Sequence, residues 1–127
     1  MKSMSDYSKD AVSAALEKAG AFFAFSEKQF EENKVDGVKY GSRGAGLICP
    51  IANAKQLNAD LKQARIDAVA KDKEENTAEA IIERELSNYE CYYTYDIDDA
   101  ISSLSDYGYS NDKILEVFHA TKGRHDD

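Results

Sequence analysis

The stretch DIDDAISSLSDYGYSNDKILEVFHAT, residues 96–121, decides the fold class. Ile97, Ala100, Ile101 and Leu104 recur at i, i+3, i+4 and i+7, the spacing that lines one face of an α-helix. Asp96 has the side chain of an N-cap, and Gly108 offers a left-handed stop after Tyr107. Ser110 then opens another helix, with Ile114, Leu115, Val117 and Phe118 facing a core, until Gly123 ends it and leaves the polar tail GRHDD. Two short capped helices in succession point to a mainly α chain.

The same period continues toward the N-terminus. Thr77 caps a helix carrying Ile81, Ile82, Leu86 and Tyr89, and Asn53 with Gln56 forms a capping box ahead of Leu57, Leu61, Ala64 and Ala68, a helix that runs to Lys71. The charged run KDKEEN between them is either a solvated continuation of that helix or a turn, with the turn preferred. Ser8 caps a first helix with Val12, Ala15, Leu16 and Ala19 on one face, and Ser26 with Gln29 opens a short helix reaching Asn33. Phe22, Phe23 and Phe25 form an aromatic cluster assigned to the core. Periodicity vanishes between Asp36 and Pro50, where Val38, Tyr40, Leu47 and Ile48 flank the glycine-rich GSRGAG, so a small β-hairpin around residues 38–48 or an irregular loop is expected. YECYYTYDIDDA suits a helix end or an extended piece. The expected fold is thus a compact bundle of about five to six short helices with that hairpin. It forms a single domain over residues 1–127, with flexible tails at 1–7 and 123–127.

Composition bounds the function classes. A chain of 127 residues that is 43% hydrophobic can build one core without disulfides. Cys49 and Cys91 are its only cysteines, and the opening MKSMSDYSKD lacks the apolar run of a signal peptide, so the expected setting is a reducing cytoplasm. No apolar stretch approaches the roughly 20 residues that span a bilayer. The net charge of -8 is unevenly placed: residues 1–73 hold 12 Lys/Arg against 10 Asp/Glu, residues 74–116 hold 2 against 12, and residues 117–127 hold 2 of each. The middle segment, at -10, would repel a phosphate backbone and attract a basic surface.

No pattern for catalysis survives inspection. Gly41, Gly44 and Gly46 lack the lysine and the strand-to-helix turn of a phosphate loop; they are read as allowing tight turns or close backbone approach, with Arg43 exposed at the loop tip as a candidate contact residue. Asp96, Asp98 and Asp99 resemble the start of a calcium loop, but Ile101 and Tyr107 fall where glycine and a bidentate glutamate belong. They are better explained as carboxylates at a helix N-terminus. His119 and His125 have no metal-ligand spacing to either cysteine, and Cys91 lies among tyrosines without a nucleophile motif. The last two helices share the spacing of a helix-turn-helix, but Asn111, Asp112, Lys113 and Glu116 do not make a base-reading surface. The chain is therefore read as non-enzymatic, with no cofactor, no metal and no direct nucleic-acid binding. Its candidate partner-binding residues are Glu79, Glu83, Glu90, Tyr92, Tyr95, Asp96, Asp98 and Asp99, where acid and tyrosine coincide.

Three motifs, FFAFSEKQF (22–30), GAGLICP (44–50) and ELSNYECYYTYDIDDAI (85–101), resemble a family of small proteins encoded by bacteriophages and other bacterial mobile elements. The resemblance runs from Ala21 to the last helix and transfers no catalytic residue. It implies an acidic interaction protein in a bacterial host cytoplasm. By analogy with anti-CRISPR proteins, the partner it implies is a host protein or ribonucleoprotein whose basic surface meets a nucleic-acid mimic. The alternative expectation is a self-associating structural or accessory protein that supports replication of the element.

Overall fold

The computed structural model describes residues 1–125. Among them are seven α-helices, α1 (Met4–Ala19), α2 (Glu27–Asn33), α3 (Ala54–Glu75), α4 (Ala78–Asn88), α5 (Cys91–Thr94), α6 (Asp98–Ser103) and α7 (Asn111–Thr121). The three strands are β1 (Phe22–Phe23), β2 (Tyr40–Ser42) and β3 (Leu47–Pro50), and 3-10 turns cover Ile51–Asn53 and Lys122–His125. The architecture is mainly α with a small antiparallel sheet. Two compact units divide it: residues 8–67, and residues 68–127 together with 1–7. The first unit carries 9 Lys/Arg against 8 Asp/Glu, or +1, and the second 7 against 16, or -9.

In the unit of residues 8–67 the sheet has the order β1-β3-β2, with Tyr40 opposite Pro50 and Phe22 opposite Ile48. The hairpin expected around 38–48 is present, but it has a third strand in the phenylalanine cluster. Extended residues alternate faces. Phe22 therefore turns inward, with ring centroids 5.5 Å from Tyr40 and 6.2 Å from Phe30. Phe23 and Phe25 turn the other way, stacked 6.3 Å apart and 52% and 74% exposed, so only one of the three belongs to an interior. Ser26 accepts from the Gln29 backbone N–H, and the Gln29 Oε1 accepts from the Phe25 N–H at 2.7 Å, which fixes the start of α2 as its sequence predicts. Asn53 makes no such box: its amide donates to the Ala19 carbonyl at 3.0 Å, and α3 begins after a 3-10 turn. The interior here is small, built on Ala15, Ala19, Cys49 and Leu57.

The second unit holds the larger core: Val69, Ile81, Ile82, Leu86, Cys91, Tyr92, Ala100, Leu104, Tyr107, Ile114, Val117 and Phe118. Thr77 and Ser110 cap α4 and α7 by accepting from Ala80 N–H and Lys113 N–H, as expected. Of the two readings of KDKEEN the helical one holds as far as Glu75, but the continuation is not simply solvated: Asp72 within it is fully buried and bonded on several sides, which rewards continuing α3 by another turn. The chain start is also helical from Met4: Ser3 Oγ accepts from Asp6 N–H while Asp6 Oδ2 accepts from Ser3 N–H, a reciprocal cap that displaces Ser8 into the helix interior. Asp96 does not cap α6 directly. Its Oδ1 accepts from Asp98 N–H at 3.0 Å, an Asx turn that delays the helix to Asp98. Gly108 takes a left-handed φ of +79°, but α6 ends at Ser103, ahead of the stop expected after Tyr107; Leu115 is 41% exposed and outside the core, and Gly123 lies within the terminal 3-10 turn instead of ending the helix. Asp126 and Asp127 of the expected tail lie outside the described residues.

Candidate interaction site

α4, α5 and α6 position the candidate residues, all in the acidic unit. α5 is one turn long and bounded by two residues in the left-handed region, Glu90 at φ 55° and Tyr95 at φ 60°. Such reversals at non-glycine residues are uncommon and hold the turn in a fixed setting. Cys91 and Tyr92 face inward, and Tyr93, Thr94 and Tyr95 face out. Glu90, Asp96, Asp98 and Asp99 are exposed on the same short run, and among the described residues no ion pair engages them.

The structure redistributes the remaining candidates. Tyr92 is buried at 8% exposure, its hydroxyl 2.5 Å from Thr121 Oγ1 and its ring stacked on Phe118 and on His125. It belongs to the core, because the turn of α5 swings it toward α7. Tyr93, 86% exposed, takes the outward place that the sequence reading gave to Tyr92. Nothing in the spacing of adjacent tyrosines distinguishes them before the left-handed residues are known. Tyr95 is 61% exposed, with its ring edge-on to Phe118. Glu79 is exposed and bonded to Lys113 at 3.0 Å, and this pair lowers the glutamate's pKa and raises the lysine's. Glu83 is held by Arg124 and His125, each at 3.1 Å. Arg43 lies in the other unit, on a hairpin loop where Gly44, Ala45 and Gly46 all have positive φ, and its guanidinium bonds Asn58 Oδ1.

One constellation has no counterpart in the sequence reading. Arg84 reaches Asp72 with two nitrogens, at 2.8 and 3.0 Å, and Glu85 with Nε at 3.3 Å. Tyr107 donates its hydroxyl to Asp72 Oδ2 at 2.6 Å, and Asn76 Nδ2 bonds Asp72 Oδ1 at 2.9 Å. Burial alone would raise the Asp72 carboxyl, but the hydrogen bonds from Arg84, Tyr107 and Asn76 outweigh it and hold its pKa below the ordinary value. Burial, then the hydrogen bond to Asp72 and its charge, pushes the Tyr107 phenol well above its ordinary value. The available signal was Arg84 itself, one of only two cations among twelve acids in residues 74–116. Both are consumed internally, Arg84 by this cluster and Lys113 by Glu79.

Cys91 is fully buried, and burial, with the charges of Asp96 and Asp99, raises its thiol, which disfavours the thiolate. Among the described residues no group of three or more His, Cys, Asp or Glu is placed to hold a metal ion, and no helix is long and apolar enough to cross a membrane.

Fold and site define a mainly α protein, one unit of which presents an acidic face bearing exposed tyrosines. Residues 4–123 match the family of unknown function DUF7659, and the chain belongs to that family. No curated protein and no solved structure matches it.

Proposed function

We propose that this is a non-enzymatic interaction protein that binds a basic protein surface through Glu90, Tyr93, Tyr95, Asp96, Asp98 and Asp99. One observation carries the reading: both cations of the acidic segment are spent on internal carboxylates, so the run from Glu90 to Asp99 presents negative charge and aromatic area with no cation of its own segment beside it. Carboxylates steer a basic partner into contact, and tyrosine supplies rigid contact area with one polar end. With the resemblance to mobile-element proteins, the proposed partner is a bacterial nucleic-acid-handling complex, whose basic channel such a face would occupy in place of phosphates.

The test compares the wild type with Asp96→Lys/Asp98→Lys/Asp99→Lys in capture from bacterial lysate as salt rises from about 50 to 500 mM, a range that progressively screens surface charge. A basic nucleic-acid-binding complex retained by the wild type at low salt and lost in the variant supports the reading; equal capture by both sinks it. The exposed Phe23–Phe25 stack favours a second reading, self-association through the other unit. Sedimentation of wild type and Phe23→Ser/Phe25→Ser separates the two, since only self-association predicts a concentration-dependent mass that the variant loses.

A further inference from the structure

We propose that the C-terminal turn Lys122–His125 is a built-in competitor for the acidic face, occupying Glu83 and Tyr92 until a basic partner displaces it; this rests on the acidic-face reading above. The turn is basic, with Lys122, Arg124 and His125 in four residues. It folds back on α4 and α5: Arg124 Nη1 lies 3.1 Å from Glu83 Oε2, His125 Nε2 lies 3.1 Å from Glu83 Oε1, and the His125 ring lies parallel to the Tyr92 ring with centroids 3.9 Å apart. A cation on a carboxylate and a flat polar ring on a tyrosine are the contacts that a basic peptide would make with this face. The chain's own end makes them already.

The contact is built to exchange. Arg124 is 67% exposed, and pairs of this kind are individually weak and screened by salt. A partner presenting arginine or lysine can therefore take Glu83 over without breaking the core beneath it. Displacement would free Glu83 and uncover the one face of the Tyr92 ring on which His125 stacks, while Phe118 and Thr121 keep the rest of Tyr92 in the core. Two of the residues that the sequence marks as binding groups are thus engaged by the protein's own end, through contacts of the kind a basic partner would make.

The test measures binding of fluorescent decalysine to the full chain at low salt by anisotropy, for wild type, Arg124→Gln/His125→Gln and Lys122→Gln. Lys122→Gln removes a charge from the same turn without touching the contact with Glu83, so it reports the gain from net charge alone. Competition predicts that the double variant binds about five-fold tighter than wild type and clearly tighter than Lys122→Gln, because apparent affinity falls in proportion to the fraction of sites left free, here about one-fifth. It also predicts that Arg124→Gln adds nothing in a Glu83→Gln background. A double variant no tighter than Lys122→Gln overturns the competitor while leaving the acidic face standing. Failure of every form to bind decalysine overturns the acidic-face reading, and the competitor with it. Thermal melts of each form confirm that the fold is intact, as expected for changes at one exposed turn.

Discussion

Arg84 grips Asp72 in a two-pronged contact, Nη2 to Oδ2 at 2.8 Å and Nη1 to Oδ1 at 3.0 Å, with the two side chains 8% and 0% exposed. The same guanidinium meets Glu85 and donates to the Lys2 carbonyl at 3.2 Å, so one side chain ties together α3, α4 and the chain start. Planar, bidentate recognition of this kind suits arginine and not lysine. Removing one partner strands a buried charge. Arg84→Ala should cost about 3–5 kcal/mol, and Arg84→Lys a large part of that, whereas Asp72→Leu with Arg84→Met should recover part of the loss by removing one buried pair, Glu85 still being left without its cation. Urea unfolding of the three variants checks the ordering; a double variant as unstable as Arg84→Ala would mean the charges themselves hold this core.

The same cluster sets a pH window. The folded Asp72 carboxyl is depressed, so its contribution is fully present above the ordinary aspartate value of about 3.9 and is lost as pH falls through the lower folded value. The Tyr107 phenol is raised, so its contribution is present below about 10 and is lost as pH rises beyond that. Melting temperature should therefore hold between about pH 5 and 9 and fall on either side. Tyr107→Phe should flatten the alkaline limb and Asp72→Asn the acid limb, each at the cost of a lower plateau. Melts from pH 2 to 11 read both limbs, and an acid limb as steep in Asp72→Asn as in wild type would reassign it to other carboxylates.

Gly46 and Gly108 share nearly the same backbone, φ +81° and +79°, but not the same surroundings. A Cβ on Gly108 would meet open space, whereas one on Gly46 would lie 2.3 Å from the Phe25 ring. Alanine at position 108 should therefore cost the left-handed conformation alone, about 1 kcal/mol. Alanine at position 46 should cost that and also dislodge Phe25 from its place beside Phe23. Measured stabilities give the difference, and near-equal losses would show that the exposed Phe25 ring swings away freely.

How far the sequence reaches follows from what each signal encodes. Ser26, Thr77 and Ser110 announced their helices because a cap is a local bond between a side chain and a backbone N–H three residues on. Ile81, Ile82, Leu86, Ala100 and Leu104 were legible as core because a 3.6-residue period survives without tertiary knowledge. Asp72 was not: it looks like one charge in KDKEEN, and only Arg84 and Tyr107, brought to it by the fold, make it an interior residue. Phe23 and Phe25 failed for a related reason, since β1 exists only where Leu47 and Ile48 are there to pair with it. Among the candidate residues, Glu90, Asp96, Asp98 and Asp99 are exposed, as their charge alone implies, because exposed acid needs no partner to be recognised.

Tyr92 and Tyr93 should respond to substitution in opposite ways. Tyr92 is packed between α4 and α7 with its hydroxyl on Thr121, so Tyr92→Phe should cost about 1 kcal/mol and Tyr92→Ala about 3–5 kcal/mol. Tyr93 projects into solvent at 86% exposure, and Tyr93→Ser should leave stability within about 0.5 kcal/mol. Binding to a basic partner should reverse the ranking: Tyr93→Ser weakens it, because a rigid aromatic contact is lost, while Tyr92→Phe keeps the ring and changes it little. Chemical denaturation read alongside decalysine affinity separates the two effects in one set of variants. If Tyr93→Ser binds as well as wild type, the tyrosines are solvated ornaments of an acidic surface and charge alone carries recognition there.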